Sequence, residues 1–321
     1  MTTAAPLDTT SFAAFVRALG VTGPVTERGG AMVAGPPVAV AEWGLRLGLG
    51  QVFLDTPKSR AILENLGLDP AHMRVVARRL RAFKDWRPIW EDLSAPVLKA
   101  MDAALVRGDA AAAGAAIDTA LTMLGLAYGG DGYYVHTLFP DRRPIWPILA
   151  RLRAQRRALN GERAESLVVP HARGATTGLL HLPPGGPRPA PALLGLHQLT
   201  GDQDDFDGTL ARFRAAGFAT FCIDLPAHGV NFEGPRLRPE DEQVALAALD
   251  VLAARPEVDA QRLGVIGGSL GAFYALRTAA AAGPRVRAVV AYASPFDIGQ
   301  GIPDSVVGIR ENFAWVIGAR D

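Results

Sequence analysis

The chain has 321 residues, 49% hydrophobic and 20% charged, with a formal net charge of +1. That length suits about two domains with cores of their own, and the near-neutral charge gives no electrostatic ground for nucleic acid or an anionic membrane as partner. A single cysteine, Cys222, excludes an internal disulfide and suits a reducing compartment.

The first residues lack the basic and apolar regions of a secretory signal. Apolar stretches are broken by Gly, Arg or Asp before the ~18 residues a membrane span needs, so a cytoplasmic protein is expected.

Up to about residue 163 the period is helical. Met73, Val76, Leu80 and Phe83 recur at spacings of three and four over 68–83. Asp69-Pro70 supplies an N-cap and a first-turn proline. Residues 93–126 are rich in Ala and Leu and punctuated at Gly108, and the alanine run 110–113 favours helix. Trp86 and Trp90, one turn apart, are expected to pack between helices. A further helix is expected over 144–159, its arginines 151, 153, 156 and 157 forming a solvated face.

From residue 164 the pattern turns to strand, turn and helix. Apolar strands are expected at 167–169, 178–182, 192–196, 218–223, 263–266 and 286–292. Helices are expected at 204–215, 239–253 and 270–281, with a partly helical end near 312–317. Apolar strands alternating with helices predict an α/β fold with a mainly parallel sheet, covered on both faces and preceded by an all-helical domain. The domains are expected at 1–163 and 164–321.

Gly267-Gly268-Ser269-Leu270-Gly271 fits G-x-S-x-G between an expected strand and an expected helix. A tight turn there exposes the serine hydroxyl, and the two outer glycines let strand and helix approach. Ser269 is therefore the candidate nucleophile, and the Leu270 N–H, at a helix N-terminus, a candidate oxyanion donor. His197-Gln198-Leu199-Thr200-Gly201 follows the third strand, where the Leu199 N–H is the candidate second donor and His197 and Gln198 are candidate binding residues. In Asp224-Leu225-Pro226-Ala227-His228-Gly229, a turn is expected and His228 is assigned a structural role.

Those motifs, with Asp259 to Gly271, resemble the α/β-hydrolase superfamily, in particular cores of the dienelactone-hydrolase and acyl-peptidase type. Gln198 and Ala227 stand where glycine is usual, and Ala272 where a second glycine is common. The helical segment before the core is similar to the group that includes fermentation-respiration-switch-type esterases and the dihydro-pseudooxynicotine hydrolase. The resemblance implies a helical cap that shapes a pocket over Ser269, and often a homodimer. It also implies a small-molecule ester or carbonyl substrate cleaved through an acyl-enzyme, with amide or carbon–carbon cleavage as alternatives. No cofactor is implied, and the sequence shows no metal-ligand cluster or dinucleotide fingerprint.

The superfamily's triad runs Ser, then Asp or Glu, then His. All six histidines here (72, 136, 171, 181, 197 and 228) precede Ser269. Two expectations follow: a hydrolase truncated before its last strands, leaving the sheet incomplete on its C-terminal side, or a protein on that fold that binds ligands without chemistry or borrows a base from elsewhere. Asp297 is a candidate acid, competing with a loop carboxylate or helix cap. Tyr133, Tyr134 and His136 are candidate pocket residues, competing with a plain aromatic cluster.

Overall fold

The computed structural model describes residues 43–55, 57–127, 145–185, 188–295, 297–301 and 307–319. The chain divides into two compact units: Met1–Leu159 with Ile302–Asn312, and Asn160–Gly301 with Phe313–Asp321.

The first unit is helical: α1 (Gly50–Leu54), α2 (Pro57–Asn65), α3 (Ala71–Arg79), α4 (Trp86–Val106), α5 (Ala110–Ala127) and α6 (Trp146–Leu159). Asp69 Oδ1 accepts the Ala71 N–H at 2.7 Å, as a cap should. The expected helix to 83 stops at Arg79, where Leu80 turns extended. Asp85 Oδ2 then accepts the N–H groups of Arg81 and Ala82 and closes a separate turn. The next helix starts at Trp86 rather than 93, with Pro88 in its first turn, where a missing N–H costs nothing.

Trp86 and Trp90 are buried and meet edge to face, 5.9 Å apart. Helix α5 corrects one expectation: by length and composition it is apolar enough to cross a membrane. Its buried residues Ala113, Ile117, Ala120 and Leu124 recur at three and four, the stripe of a packing helix. Arg156 pairs with Asp118 at 2.8 Å, so it is not purely a solvated cation.

The second unit is built on β1 (Ala164–His171), β2 (Gly174–His181), β3 (Ala190–Leu196), β4 (Ala219–Ile223), β5 (Val258–Gly268) and β6 (Val286–Tyr292). Its helices are α7 (Gln203–Ala215), α8 (Glu242–Ala253), α9 (Leu270–Ala282) and α10 (Ile298–Gly301), and it holds the end of α11 (Val307–Ile317). Strand order is β1-β2-β4-β3-β5-β6. The β1/β2 and β2/β4 pairs are antiparallel, and β4/β3, β3/β5 and β5/β6 are parallel. The expected strand at 167–169 is the middle of an eight-residue hairpin arm, longer than its apolar run because it lies at the sheet edge with one face polar.

The two faces are read off by a period of two. Leu194, Phe221 and Val265 join Val244, Ala248 and Leu252 of α8 and Tyr274 of α9 in the larger core cluster. Their neighbours Leu193, Cys222 and Ile266 join Phe206 and Leu210 of α7 in the smaller one. Strand β6 has a different environment: Val289, Val290 and Tyr292 are exposed, and among the described residues it pairs with β5 alone.

Candidate active site

The parallel strands β3, β4 and β5 end together, since Leu196 lies in register with Ile223 and Gly267. The three motif loops leave the sheet at that one edge.

Ser269 sits between β5 and α9 with φ 51° and ψ −117°, a conformation L residues avoid. Its N–H donates to Tyr292 O at 3.0 Å, and its carbonyl accepts the N–H groups of Ala272 and Phe273. The turn is thus held from both sides while the side chain is half-buried. A Cβ on Gly271 would lie 2.1 Å from Leu196 O and 2.5 Å from His197 O, and one on Gly267 would lie 2.2 Å from Gly271 O. These contacts press the helix start against the end of β3, so the 197–201 loop begins beside the serine turn.

Within that loop one peptide group is oriented with unusual completeness. Gln198 O accepts from the Gly201 N–H at 3.1 Å and lies 2.8 Å from His197 Nδ1. The Leu225 N–H donates to His197 Nε2 at 3.0 Å, so Nε2 is bare and Nδ1 carries the proton given to Gln198 O. In a trans peptide the N–H points opposite to the C=O. Fixing Gln198 O by two donors therefore aims the Leu199 N–H the other way. Neither Leu199 N–H nor Leu270 N–H donates to a backbone carbonyl among the described residues. An N–H at the start of α9, next to Ser269 in sequence, and a second one aimed by its fixed peptide in the 197–201 loop are the kind of donors that hold a developing oxyanion. The Gln198 side chain folds back over Gly201.

The turn after β4 braces the loop. Asp224 is buried, and its carboxylate accepts from Gln203 N at 2.7 Å and Val230 N at 2.9 Å. Burial, then the nearby Asp202, pushes its pKa well above the usual carboxylate range, against those two hydrogen bonds. His228 is buried with Nδ1 2.8 Å from Pro226 O and Nε2 2.8 Å from Leu199 O. The His197 and His228 rings lie 4.9 Å apart. Ala227, at φ 60°, takes the left-handed conformation for which glycine is suited.

Burial, with the neighbouring His228, lowers His197 to about 3. Burial also lowers His228, so both rings are neutral near pH 7. Acidification should therefore destabilise this unit. Between pH 6.5 and about 3 the unfolded chain protonates His197 and the folded chain does not. Stability is complete above the unfolded pKa and falls with pH below it, by up to about 1.4 kcal/mol per pH unit for one such group. Asp224, shifted upward, acts in the opposite sense, so the comparison needs a variant. Urea unfolding at pH 7 and pH 5 should show a smaller acid loss in His197→Asn than in the parent. Equal losses would rule out His197 as a source of the effect.

No described histidine of this unit presents a ring nitrogen to Ser269. Both nitrogens of His197 and of His228 face backbone groups. His171 lies on β1, four strands across from β5, or about 19 Å at ~4.8 Å per strand. His181 lies at the opposite end of the sheet, in register with Thr220 near the start of β4, and 3.3 Å from Asp207. A cavity of about 930 Å³ opens at that far end, lined by His181, Leu182, Arg188 and Arg214 among others. Sequence reasoning missed the Arg214–Asp207–His181 chain, because no local spacing links β2 to α7. Asp297 is exposed and stands immediately before α10. Tyr133, Tyr134 and His136 lie outside the described residues. Among the described residues no cluster suits a metal ion.

A mostly parallel sheet covered on both faces, with a strained serine turn at the carboxyl end of an inner strand, has the α/β-hydrolase fold. The family model described as "Alpha/beta hydrolase family" matches residues 194–320. Among curated relatives, the hydrolyase poxO of Penicillium oxalicum is 30% identical over 254 residues, 73% of this chain and 58% of that protein. Esterase FrsA of Yersinia pestis (strain Pestoides F) is 33% identical over 117 residues, 36% of this chain and 28% of that protein. The crystal structure of the 2,6-dihydroxy-pseudo-oxynicotine hydrolase matches with TM-score 0.63 at 23% identity, over 82% of this chain and 71% of that one, and shares the fold. The chain spans less than two thirds of the length of these curated relatives.

Proposed function

We propose that this protein is a serine hydrolase that cleaves a small-molecule ester through an acyl-enzyme on Ser269. The observation that supports it most is the serine turn itself. Ser269 sits on a backbone of φ 51°, and among the described residues neither the Leu270 N–H nor the Leu199 N–H donates to a backbone carbonyl. Strain of this kind, of order 1–3 kcal/mol, persists where a function needs it. Two relatives that cover only part of their own length here bear the names hydrolyase and esterase, which agrees with hydrolysis without fixing the substrate.

The chemistry follows from the groups. The Ser269 oxygen adds to the substrate carbonyl carbon while its proton passes to a base. The carbonyl oxygen becomes an oxyanion held by the two N–H groups, each worth about 10²–10³ in rate. Collapse expels the alcohol, which takes up the proton, and water repeats the sequence on the acyl-enzyme. His197 and His228 as they stand are not that base, because each spends both ring nitrogens on backbone groups.

The test is a fluorophosphonate probe followed by peptide mass analysis. Labelling is expected at Ser269 and is expected to vanish in Ser269→Ala. A protein that binds hydrolase-type ligands without turning them over would remain unlabelled. That result would overturn the acyl-enzyme on Ser269 for this chain.

A further inference from the structure

We propose that His228 is a positioning residue for the oxyanion loop, holding Leu199 through a hydrogen bond from its Nε2–H to the Leu199 carbonyl. The proposal rests on the assignment of the Leu199 N–H as an oxyanion donor.

Two peptide groups flank Leu199. The one before it is fixed by two donors on Gln198 O, the Gly201 N–H and the His197 ring. The one after it carries Leu199 O, 2.8 Å from His228 Nε2. With both neighbouring peptide planes held, the direction of the Leu199 N–H is set before any substrate arrives. Such preorganisation is what makes a donor effective in the transition state.

The contacts are reciprocal between two loops. His197, on the loop after β3, accepts the N–H of Leu225, on the turn after β4. His228, on that turn, reaches back to Leu199 on the loop. His197 is itself locked in one tautomer by the Leu225 N–H, but nothing comparable locks His228. Its two nitrogens each face a carbonyl at 2.8 Å, and a neutral ring has one proton to offer. Burial favours the neutral ring, while the Pro226 and Leu199 carbonyls and then Asp202 pull the other way. The Nδ1 contact is to Pro226, two residues back in the same turn, and ties the turn only to itself. The Nε2 contact joins the turn to the loop. A proton on Nε2 clamps Leu199; a proton on Nδ1 would set a ring lone pair against Leu199 O and release it.

Two substitutions separate the nitrogens. His228→Gln places an amide N–H near the Nε2 position, and His228→Asn places one near Nδ1. The readout is the rate of Ser269 modification by a fluorophosphonate, with urea unfolding as the control for folding. His228→Gln is expected to react within about threefold of the parent. His228→Asn is expected to react about 10²-fold more slowly, the scale of losing one oxyanion donor. The loss should fall on the limiting inactivation rate and leave the half-saturating probe concentration in place. Equal rates in the two variants, or a loss that simply tracks unfolding, would overturn the proposal.

A parent protein that does not react at all would instead refute the serine assignment. The link is then decided by NMR of the 15N- and 13C-labelled chain. Coupling across the hydrogen bond from His228 Nε2–H to the Leu199 carbonyl supports the clamp, and a ring protonated on Nδ1 refutes it.

Discussion

Alanine at position 271 is expected to destabilise the hydrolase unit by at least about 3 kcal/mol and to abolish folding in a marginal background. The added Cβ would lie 2.1 Å from Leu196 O and 2.5 Å from His197 O. Both obstacles are backbone atoms at the end of β3, so no rotamer change relieves them. Relief requires α9 to move off the sheet, which would break the packing of Tyr274 and Ala275 in the larger core, or β3 to shift against β5. The proper control is another helical glycine in the same unit. Gly208, in α7, is exposed and has nothing within 4 Å of an added Cβ. Gly208→Ala should stabilise by about 1 kcal/mol, the ordinary gain from helix propensity. Urea midpoints moving in opposite directions would support this account. A tolerated Gly271→Ala would mean that the helix and β3 do not meet as closely as these contacts require.

The same residue shows how far sequence alone reaches. Glycines at 267 and 271 around a serine, after an apolar strand and before a helix, announce a close strand-to-helix approach through local spacing. The alternation of Leu193 with Leu194 and of Val265 with Ile266 likewise announces a sheet covered on both faces, since a period of two is a property of the strand itself. The antiparallel hairpin of β1 and β2 was hidden, because only part of β1 is apolar and strand direction leaves no mark on composition. Helix α4 starts before its Ala- and Leu-rich run, directly after the turn that Asp85 closes by accepting the Arg81 and Ala82 N–H groups, a local bond that periodicity does not reveal.

The bracing of the candidate site was legible only in part. His197 and His228 are visible in their motifs, but their bonds span 28 and 29 residues. Each is an imidazole nitrogen meeting a backbone group, so nothing about the partner's side chain signals it. A turn read from Pro226 and Gly229 was expected to keep its histidine busy locally. The Pro226 contact does so, and the contact to Leu199 reaches a second loop as well. The Asp224 carboxylate, holding Gln203 and Val230 N–H groups, completes a buried frame that has no spacing rule of its own.

The strained residue at 269 leads to the second large effect. Ser269→Ala is expected to lower ester hydrolysis by at least about 10⁴-fold, since the covalent route is lost and only the oxyanion donors and binding remain. Stability should stay close to that of the parent, because the φ of 51° is equally unfavourable for alanine and serine. Ser269→Gly should match that loss of rate and gain about 1 kcal/mol or more in stability, because glycine takes the conformation without a Cβ clash. The turn itself is held by the Ser269 N–H to Tyr292 O and by two amides on Ser269 O, all of which glycine keeps. The pair of variants thus separates the cost of the backbone from the use of the hydroxyl. A glycine variant no more stable than the alanine one would show an unstrained turn and weaken the case for Ser269 as a nucleophile. A more stable glycine variant, together with full loss of turnover in both, would mean that stability is given up at this position to present the hydroxyl.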